Sequence, residues 1–161
     1  MAAPQYHFVS YWRFTAAPEN VFAIIANPQD YPRWWGEVYL SAETISEGDP
    51  DGLGRKIHVV SKGKFNYKVQ WDMEILEIKT PARIVIRASG DFDGRGECYI
   101  AADGKNCDVM FDWRLVANKP ALKYLPLIMK PLFKANHKWA MEQGRLGLDR
   151  ELASLRDAVQ S

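Results

Sequence analysis

Hydrophobic and polar residues alternate most regularly in the middle of the chain. From residue 65 to residue 75, every second position is apolar and the positions between them are polar or charged. A period of two predicts a strand with one buried and one solvated face. Strands are also predicted over residues 6–14 and 83–88, and a hairpin is predicted at Asp103-Gly104, a dipeptide that favours tight turns. Successive strands joined by short turns indicate an antiparallel meander.

Two short helices are predicted after the first strand. The segment APENVFAIIANP carries Pro18 near its start and apolar residues at helical spacing, so a helix is expected to end at Asn27-Pro28. A second short helix is expected over residues 29–35, ending near Gly36.

A long helix is predicted for the C-terminal part of the chain. Residues after Lys119 are expected to be helical, with Pro126 and Pro131 breaking or kinking the first part. An apolar stripe at helical spacing follows. It consists of Phe133, His137, Ala140, Met141, Gly144, Leu148, Leu152, Leu155 and Val159. Because no repeat or linker interrupts the sequence, residues 1–161 are predicted to form one α+β domain.

Four glycines are expected to face the interior between the sheet and the helix. Gly144 and Gly147 lie in the predicted C-terminal helix, where glycine costs up to about 1 kcal/mol relative to alanine. Gly94 and Gly96 lie on the strand face that also carries Cys98. A curved sheet covered by one helix can enclose a cavity, which missing side chains would enlarge. The alternative for each glycine is close packing or a β-bulge.

Composition and charge limit the classes of function. The chain has 161 residues, a mass of 18.4 kDa and a net charge of +1, so no global field favours nucleic acid. No apolar run reaches the length of a membrane span and the N-terminus lacks the pattern of a signal peptide, which predicts a cytoplasmic protein. For Cys98 and Cys107, which flank the predicted hairpin, free buried thiols are favoured over a disulfide.

The sequence lacks the motifs of metal sites and of nucleophilic catalysis. No two of His7, His58 and His137 have the spacing of a helical zinc site, and the cysteines form no C-x-x-C. The stretch DFDGRG begins like a calcium loop, but Arg95 occupies the fifth ligand position and no Glu stands at the twelfth. No G-x-S-x-G elbow is present. No metal site and no cofactor are therefore predicted.

Three segments and the order of elements resemble a known superfamily. The segments are APENVFAIIANPQDYPRWW, GDFDGRGECYIAADGKNCDVMFDWRLVANKP and NHKWAMEQGRLGLDREL. They resemble the START-like, helix-grip superfamily, in its SRPBCC or polyketide cyclase/dehydratase branch. The resemblance implies a strongly curved antiparallel sheet of six to seven strands wrapped around a long C-terminal helix, with two short helices after the first strand. It leaves function open, because lipid carriers, ligand sensors and aromatase/cyclases share this scaffold.

Candidate binding residues follow from the expected cavity. The resemblance puts Trp34 and Trp35 at the cavity rim, so they are expected to point in opposite directions, with Trp35 facing the pocket; a simple core anchor is the alternative. His137 is the weak candidate for acid/base catalysis, against a structural role in packing. The predicted ligand-binding residues are Trp35, Val59, Tyr67, Val69, Trp71, Phe111, Trp113, His137, Met141 and Gly144.

Three functions are compatible with the sequence. The leading hypothesis is binding or carriage of a hydrophobic small molecule, such as a lipid, an isoprenoid or a polyketide-like compound. The second is a polyketide aromatase/cyclase or dehydratase-type enzyme in which His137 or a tyrosine moves protons. The third is a protein-interaction module with a filled core. The oligomeric state is left open.

A basic, apolar segment suggests a further partner. Lys123, Lys130, Lys134 and Lys138 fall in a stretch without Asp or Glu, and apolar residues lie between them. Such a segment predicts a transient, salt-sensitive contact with anionic membrane surfaces near the cavity. The alternative is that these lysines only solubilise the outer side of a core helix.

Overall fold

The structure, a computed structural model, describes residues 5–64, 67–119 and 130–160. The elements in these ranges follow the predicted order of strand, two short helices, sheet and long helix. They are β1 (Gln5–Phe14), α1 (Pro18–Ile25), a 3-10 helix (Pro28–Asp30), α2 (Tyr31–Trp34), β2 (Tyr39–Ser46), β3 (Lys56–Lys62), β4 (Lys68–Lys79), β5 (Arg83–Gly90), β6 (Phe92–Asp103), β7 (Asn106–Ala117) and α3 (Lys130–Gln160).

The strands of the described ranges form one curved antiparallel sheet. Their order is β1-β7-β6-β5-β4-β3-β2, and every neighbouring pair is antiparallel. The register shifts within β2 and between Ile75 and Glu77 of β4. Such bulges increase the local twist of a sheet. The predicted α+β helix-grip fold, with six to seven strands around a long helix, is therefore confirmed.

The periodicity of β4 appears directly in its burial. Val69, Trp71, Met73 and Ile75 are buried, and exposed or half-buried residues alternate with them. The strand runs over Lys68–Lys79, later than the predicted 65–75, of which residues 65 and 66 lie outside the described ranges. The hairpin between β6 and β7 is also confirmed, since Asp103 pairs with Asn106 across a turn in which Gly104 has a φ of 61°.

The second predicted helix is divided into two short pieces. Residues 29–35 were expected to form one helix, but the 3-10 helix Pro28–Asp30 is followed by a single turn, α2. The hydroxyl of Tyr31 donates a hydrogen bond to the carbonyl oxygen of Ile25 at 2.5 Å, which ties α2 to the end of α1. Trp34 and Trp35 lie under α3, beside Gly147 and Gly144 respectively.

Helix α3 covers the concave face of the sheet with the first part of its apolar stripe. Its 31 residues span about 45 Å at 1.5 Å per residue. Leu148 and Leu152 are buried, whereas Leu155 and Val159 are 44% and 86% exposed. The prediction that the buried stripe includes Leu155 and Val159 is wrong, because the final turns of the helix lie in solvent. Pro131 lies in the first turn of the described helix, where proline is tolerated, and Pro126 lies outside the described ranges.

The helical glycines allow close packing. A Cβ atom on Gly144 would lie 2.5 Å from Cε2 of Trp35 and 2.8 Å from Cζ2 of Trp12. A Cβ atom on Gly147 would lie 2.0 Å from the carbonyl oxygen of Trp34. The expectation that these glycines enlarge a cavity is wrong, because indole rings and backbone already fill the space that a side chain would take.

The strand glycines are also covered by neighbouring groups. A Cβ atom on Gly96 would lie 2.6 Å from Cζ3 of Trp113, so the indole ring rests directly on this strand. Gly94 has a φ of 157°, and a Cβ atom there would lie 2.0 Å from the carbonyl oxygen of Arg114. Close packing therefore explains both positions.

Both cysteines are free and buried, as predicted. Burial raises the pKa of the Cys98 thiol and also that of the Cys107 thiol. Their side chains face the core of the sheet from β6 and β7.

Candidate functional site

A cavity lies between the concave face of the sheet and helix α3. Its volume is about 170 Å³, and its wall is mostly aromatic and aliphatic, as in many small-molecule sites. The wall consists of Tyr6, Phe8, Trp35, Val38, Tyr39, Ser61, Lys62, Gly63, Tyr67, Val69, Trp71, Ala88, Phe92, Trp113, Leu115, Phe133, Asn136, His137, Ala140 and Met141. This cavity argues against the hypothesis of a protein-interaction module with a filled core.

Most of the predicted ligand-binding residues lie together in this wall. They are Trp35, Tyr67, Val69, Trp71, Trp113, His137 and Met141. Three others do not line it. Val59 is fully enclosed in the core, and Phe111 packs with its ring centroid 4.5 Å from that of Trp12. Gly144 is covered by the rings of Trp35 and Trp12.

Sequence reasoning missed several aromatic residues of the wall. Tyr6 and Phe8 lie on the inward face of β1, and Tyr39 begins β2. The alternation of β1 indicated an inward face, but only the sheet order places this strand beside β7. There Phe8 is directly opposite Trp113.

The tryptophan pair is stacked and does not diverge. The ring centroids of Trp34 and Trp35 are 5.3 Å apart with an interplanar angle of 22°, and both side chains are buried. Trp35 lines the cavity, and its Nε1 donates a hydrogen bond to the carbonyl oxygen of Ala140 at 2.9 Å. The expectation that the two point in opposite directions is wrong, because Trp35 leaves the helical conformation (φ −121°, ψ 37°) directly after α2.

His137 presents a neutral imidazole to the cavity. Its ring stacks on Phe8 with centroids 4.2 Å apart, and it lines the wall from α3. Burial lowers the pKa of His137 to about 4, because the cationic form loses its hydration there. Its Nε2 atom is buried and has no hydrogen-bond partner among the described residues. The side chain therefore offers one unused polar atom in an apolar environment.

This buried imidazole is expected to make stability depend on pH. An unfolded histidine has a pKa of about 6.5, against about 4 in the folded protein. The unfolded state therefore binds the proton more strongly. The contribution of His137 to stability falls as the pH drops from about 6.5 to about 4, and it is constant at higher pH. Between pH 7 and pH 4.5, wild type should lose about 1–3 kcal/mol more than His137→Phe, which keeps a ring beside Phe8. Urea unfolding at both pH values checks this, and equal losses would contradict it.

Two buried residues of the wall, Ser61 and Tyr39, carry hydroxyl groups. The Oγ atom of Ser61 accepts a hydrogen bond from Nε1 of Trp71 at 3.1 Å, which fixes the indole on β4. Tyr39 is buried, and burial raises the pKa of its hydroxyl, so the group stays protonated at neutral pH. Both groups can serve as hydrogen-bond partners for a polar ligand atom.

One end of the wall reaches the protein surface at Tyr67, which is 38% exposed. The Lys119 ammonium lies 4.8 Å from the centre of the Tyr67 ring and donates a hydrogen bond to the carbonyl oxygen of Lys68 at 2.9 Å. On the helix side, Oδ1 of Asn136 accepts a hydrogen bond from the backbone N–H of Lys64 at 3.0 Å. The end of β7 and the start of α3 are thus both attached to the β3–β4 connection beside the cavity.

The lysines of the predicted membrane contact are described in part. Lys134 and Lys138 are exposed on α3, while Lys123 and the side chain of Lys130 lie outside the described part of the structure. In the described ranges, no helix is both long enough and apolar enough to cross a membrane. The membrane-surface contact stays a prediction.

The comparison with protein families decides the classification. Residues 7–160 match the family described as polyketide cyclase / dehydrase and lipid transport. The chain belongs to this family. The match covers nearly the whole chain, so the residues of the cavity wall lie within it, apart from Tyr6. Among curated proteins, no sequence matches this chain.

Solved structures show the same fold at low sequence identity. A START superfamily protein from Mycobacterium smegmatis has a TM-score of 0.75 at 13% identity, covering 92% of this chain and 98% of its own. The Zhui aromatase/cyclase from Streptomyces sp. R1128 has a TM-score of 0.74 at 14% identity, covering 92% and 93%. A norcoclaurine synthase point mutant from Thalictrum flavum, in complex with a transition state analogue, has a TM-score of 0.61 at 13% identity, covering 94% and 99%.

Proposed function

We propose that this protein binds and carries a hydrophobic small molecule in the cavity under α3. The observation that carries the proposal is an apolar, aromatic wall around about 170 Å³ of space. Each Å² of apolar ligand surface removed from water contributes roughly 25 cal/mol before association costs. Lipids, isoprenoids and polyketide-like compounds have surfaces of this kind.

The polar atoms of the wall favour a ligand with one polar group. A buried polar atom without a partner costs about 1–3 kcal/mol. Nε2 of His137 is such an atom, and a hydroxyl or carbonyl on the ligand would give it a partner. Tyr39 and Ser61, which carry hydroxyl groups, line the same wall. A mostly apolar molecule with a single hydroxyl or carbonyl therefore fits better than a pure hydrocarbon.

The second candidate function is a polyketide cyclase or dehydratase that uses the same cavity. The family description includes cyclases, and the neutral His137 can accept a proton. A general base works best when its pKa lies near the working pH, and about 4 is far below neutrality. This mismatch favours carriage over catalysis. Turnover assays with polyketide substrates on wild type and His137→Phe distinguish the two. A carrier shows no turnover in either protein, whereas an enzyme that uses His137 loses its turnover in the variant.

Native mass spectrometry can find the ligand directly. Protein purified from its own source should retain an extractable hydrophobic molecule. Protein that is free of ligand and binds no fatty acid, sterol or quinone would contradict the proposal.

A substitution that fills the cavity is expected to abolish binding. Ala88 is buried in β5 and lines the wall, so the ring in Ala88→Phe would occupy ligand space. The affinity for a fluorescent hydrophobic probe should fall at least about tenfold, the equivalent of 1.4 kcal/mol. The matched control is Ser89→Phe, because the next residue of a strand faces the other side of the sheet. Equal probe affinity in both variants would contradict the assignment of this cavity as the site.

A further inference from the structure

A second, smaller cavity lies beside the first. Its volume is about 40 Å³, and its wall includes Ile25, Met73, Ile84, Ile86 and Cys98. These side chains come from α1 and from the middle of the sheet, so the space lies within the core between them. Nothing in the proposed carriage of a ligand by the main cavity requires this space.

Among the residues that the structure describes, three aromatic ones line both cavities: Trp35, Tyr39 and Trp113. We call them the partition. They separate the main cavity from the apolar space behind them. Their mobility therefore decides whether the two cavities can act as one.

Two members of the partition are held firmly. Trp35 donates a hydrogen bond to Ala140, and its ring contacts Tyr39 with centroids 4.9 Å apart. The ring of Tyr39 also contacts that of Tyr31 at 5.1 Å. Both side chains are buried at 6% exposure. Moving either ring would disrupt the aromatic packing around α2.

Trp113 is held less tightly than the other two. It is half-buried, and its ring contact among the described residues is the edge of Trp71, with centroids 6.2 Å apart. Its indole packs on the backbone of Gly96 and meets no side chain at that position. Gly96 itself lines the second cavity. Rotation of the Trp113 ring is therefore the change that would join the two spaces with the least loss of packing.

The second cavity makes no polar demand on an occupant. Among the described residues, the charged residue in the wall of this cavity is Glu97, and its carboxylate already has hydrogen-bond donors. It accepts hydrogen bonds from Arg95 at 3.1 Å, from Arg83 at 3.3 Å and from the Tyr99 hydroxyl at 2.6 Å. The remaining wall is predominantly aliphatic and aromatic, so the space suits an alkyl or ring end of a molecule.

We infer that the second cavity is a subsite for the apolar end of the bound molecule and that Trp113 controls access to it. The inference rests on the proposed carriage of a hydrophobic ligand in the main cavity. It narrows the ligand class to elongated hydrophobes whose polar group lies in the main cavity and whose apolar end displaces the Trp113 ring. Trp113 is then a specificity-determining residue for ligand length.

The test is the chain-length preference of the Trp113→Ala variant. In this assay, saturated fatty acids from hexanoate to palmitate compete with the fluorescent probe 1-anilinonaphthalene-8-sulfonate, and the Kd of each acid is measured. Removing the indole opens the subsite, and each additional buried methylene should tighten binding about fourfold. The Kd of the longer acids is expected to fall about tenfold relative to wild type, while that of hexanoate changes less than about threefold.

Two further variants control for altered folding and for general enlargement. Trp113→Phe removes less volume, so a smaller shift in the length preference is expected. It replaces Trp113→Ala in the test if that variant folds poorly. Phe92→Ala enlarges the wall of the main cavity alone and should leave the length preference unchanged.

The outcomes separate the subsite from the proposed function. Binding of all acids with the same length preference in wild type, Trp113→Ala and Trp113→Phe would overturn the subsite while leaving the main cavity as the site. An equal shift in Phe92→Ala would overturn it as well, because enlargement anywhere would then suffice. Absence of binding to probe and acids in every protein would overturn the proposed function, and the subsite with it.

Discussion

Replacing Trp35 with alanine is expected to lower the free energy of unfolding by about 3–5 kcal/mol. The indole is 6% exposed and lies at the centre of an aromatic cluster with Trp12, Tyr31, Trp34 and Tyr39. Its loss would leave a void under α3 and the carbonyl of Ala140 without its side-chain donor. At about 2–4 °C per kcal/mol, Tm should fall by about 6–20 °C.

Urea unfolding and thermal melting measure this effect. The matched control is Tyr11→Ala, because Tyr11 is 73% exposed on the outer face of β1 and should change stability by less than about 0.5 kcal/mol. Trp35→Phe keeps a ring in the cluster and loses the hydrogen bond, so it should lie between wild type and Trp35→Ala. A Trp35→Ala variant as stable as Tyr11→Ala would show that the cluster does not hold α3 to the sheet.

Adding a methyl group at Gly147 is expected to destabilise the protein by about 3 kcal/mol. In a solvated helix the same change would stabilise by up to about 1 kcal/mol. Here the new Cβ would lie 2.0 Å from the carbonyl oxygen of Trp34, so α3 and α2 must move apart. Such overpacking costs typically 1–3 kcal/mol, and backbone displacement puts this position at the upper end.

Gly144→Ala is the informative comparison for this prediction. Its Cβ would meet the ring atoms of Trp35 and Trp12, which can shift more easily than backbone, so the loss should be smaller than at Gly147. Asp149→Ala, at an exposed position of α3, controls for helix propensity. Melting curves of the three variants test the ranking. Increased stability of Gly147→Ala would contradict the close packing seen here.

Much of the fold could be predicted because its signals are local. The alternation in β4 depends on side chains pointing to opposite faces at every step, so Val69, Trp71 and Met73 could be assigned to the interior before the sheet was known. The hairpin at Gly104 depends on two residues and their dihedral angles. The spacing along α3 placed Met141 and Leu148 on the buried side for the same reason.

The candidate site could be predicted only in part because its wall joins distant residues. His137 and Phe8 are 129 positions apart in sequence and stack in the structure because α3 crosses β1. Lys119 reaches Tyr67 only through the successive pairings of β4 with β5, β5 with β6 and β6 with β7. Such contacts follow from strand order and helix placement, which no short window of sequence contains.

The sequence by itself determined the order of elements, the alternating faces of the strands and the buried side of most of α3. Residue period and turn residues set these features, and both are local signals. Only the tertiary structure decided what the interior residues do. It stacked Trp34 on Trp35, since the chain leaves the helical conformation at Trp35. It made Gly144 a site of close packing where the sequence left room for a cavity, since that depends on the distance to a ring 109 residues earlier in the chain. It lowered the pKa of His137 through desolvation, a property of the surrounding volume that sequence does not encode locally.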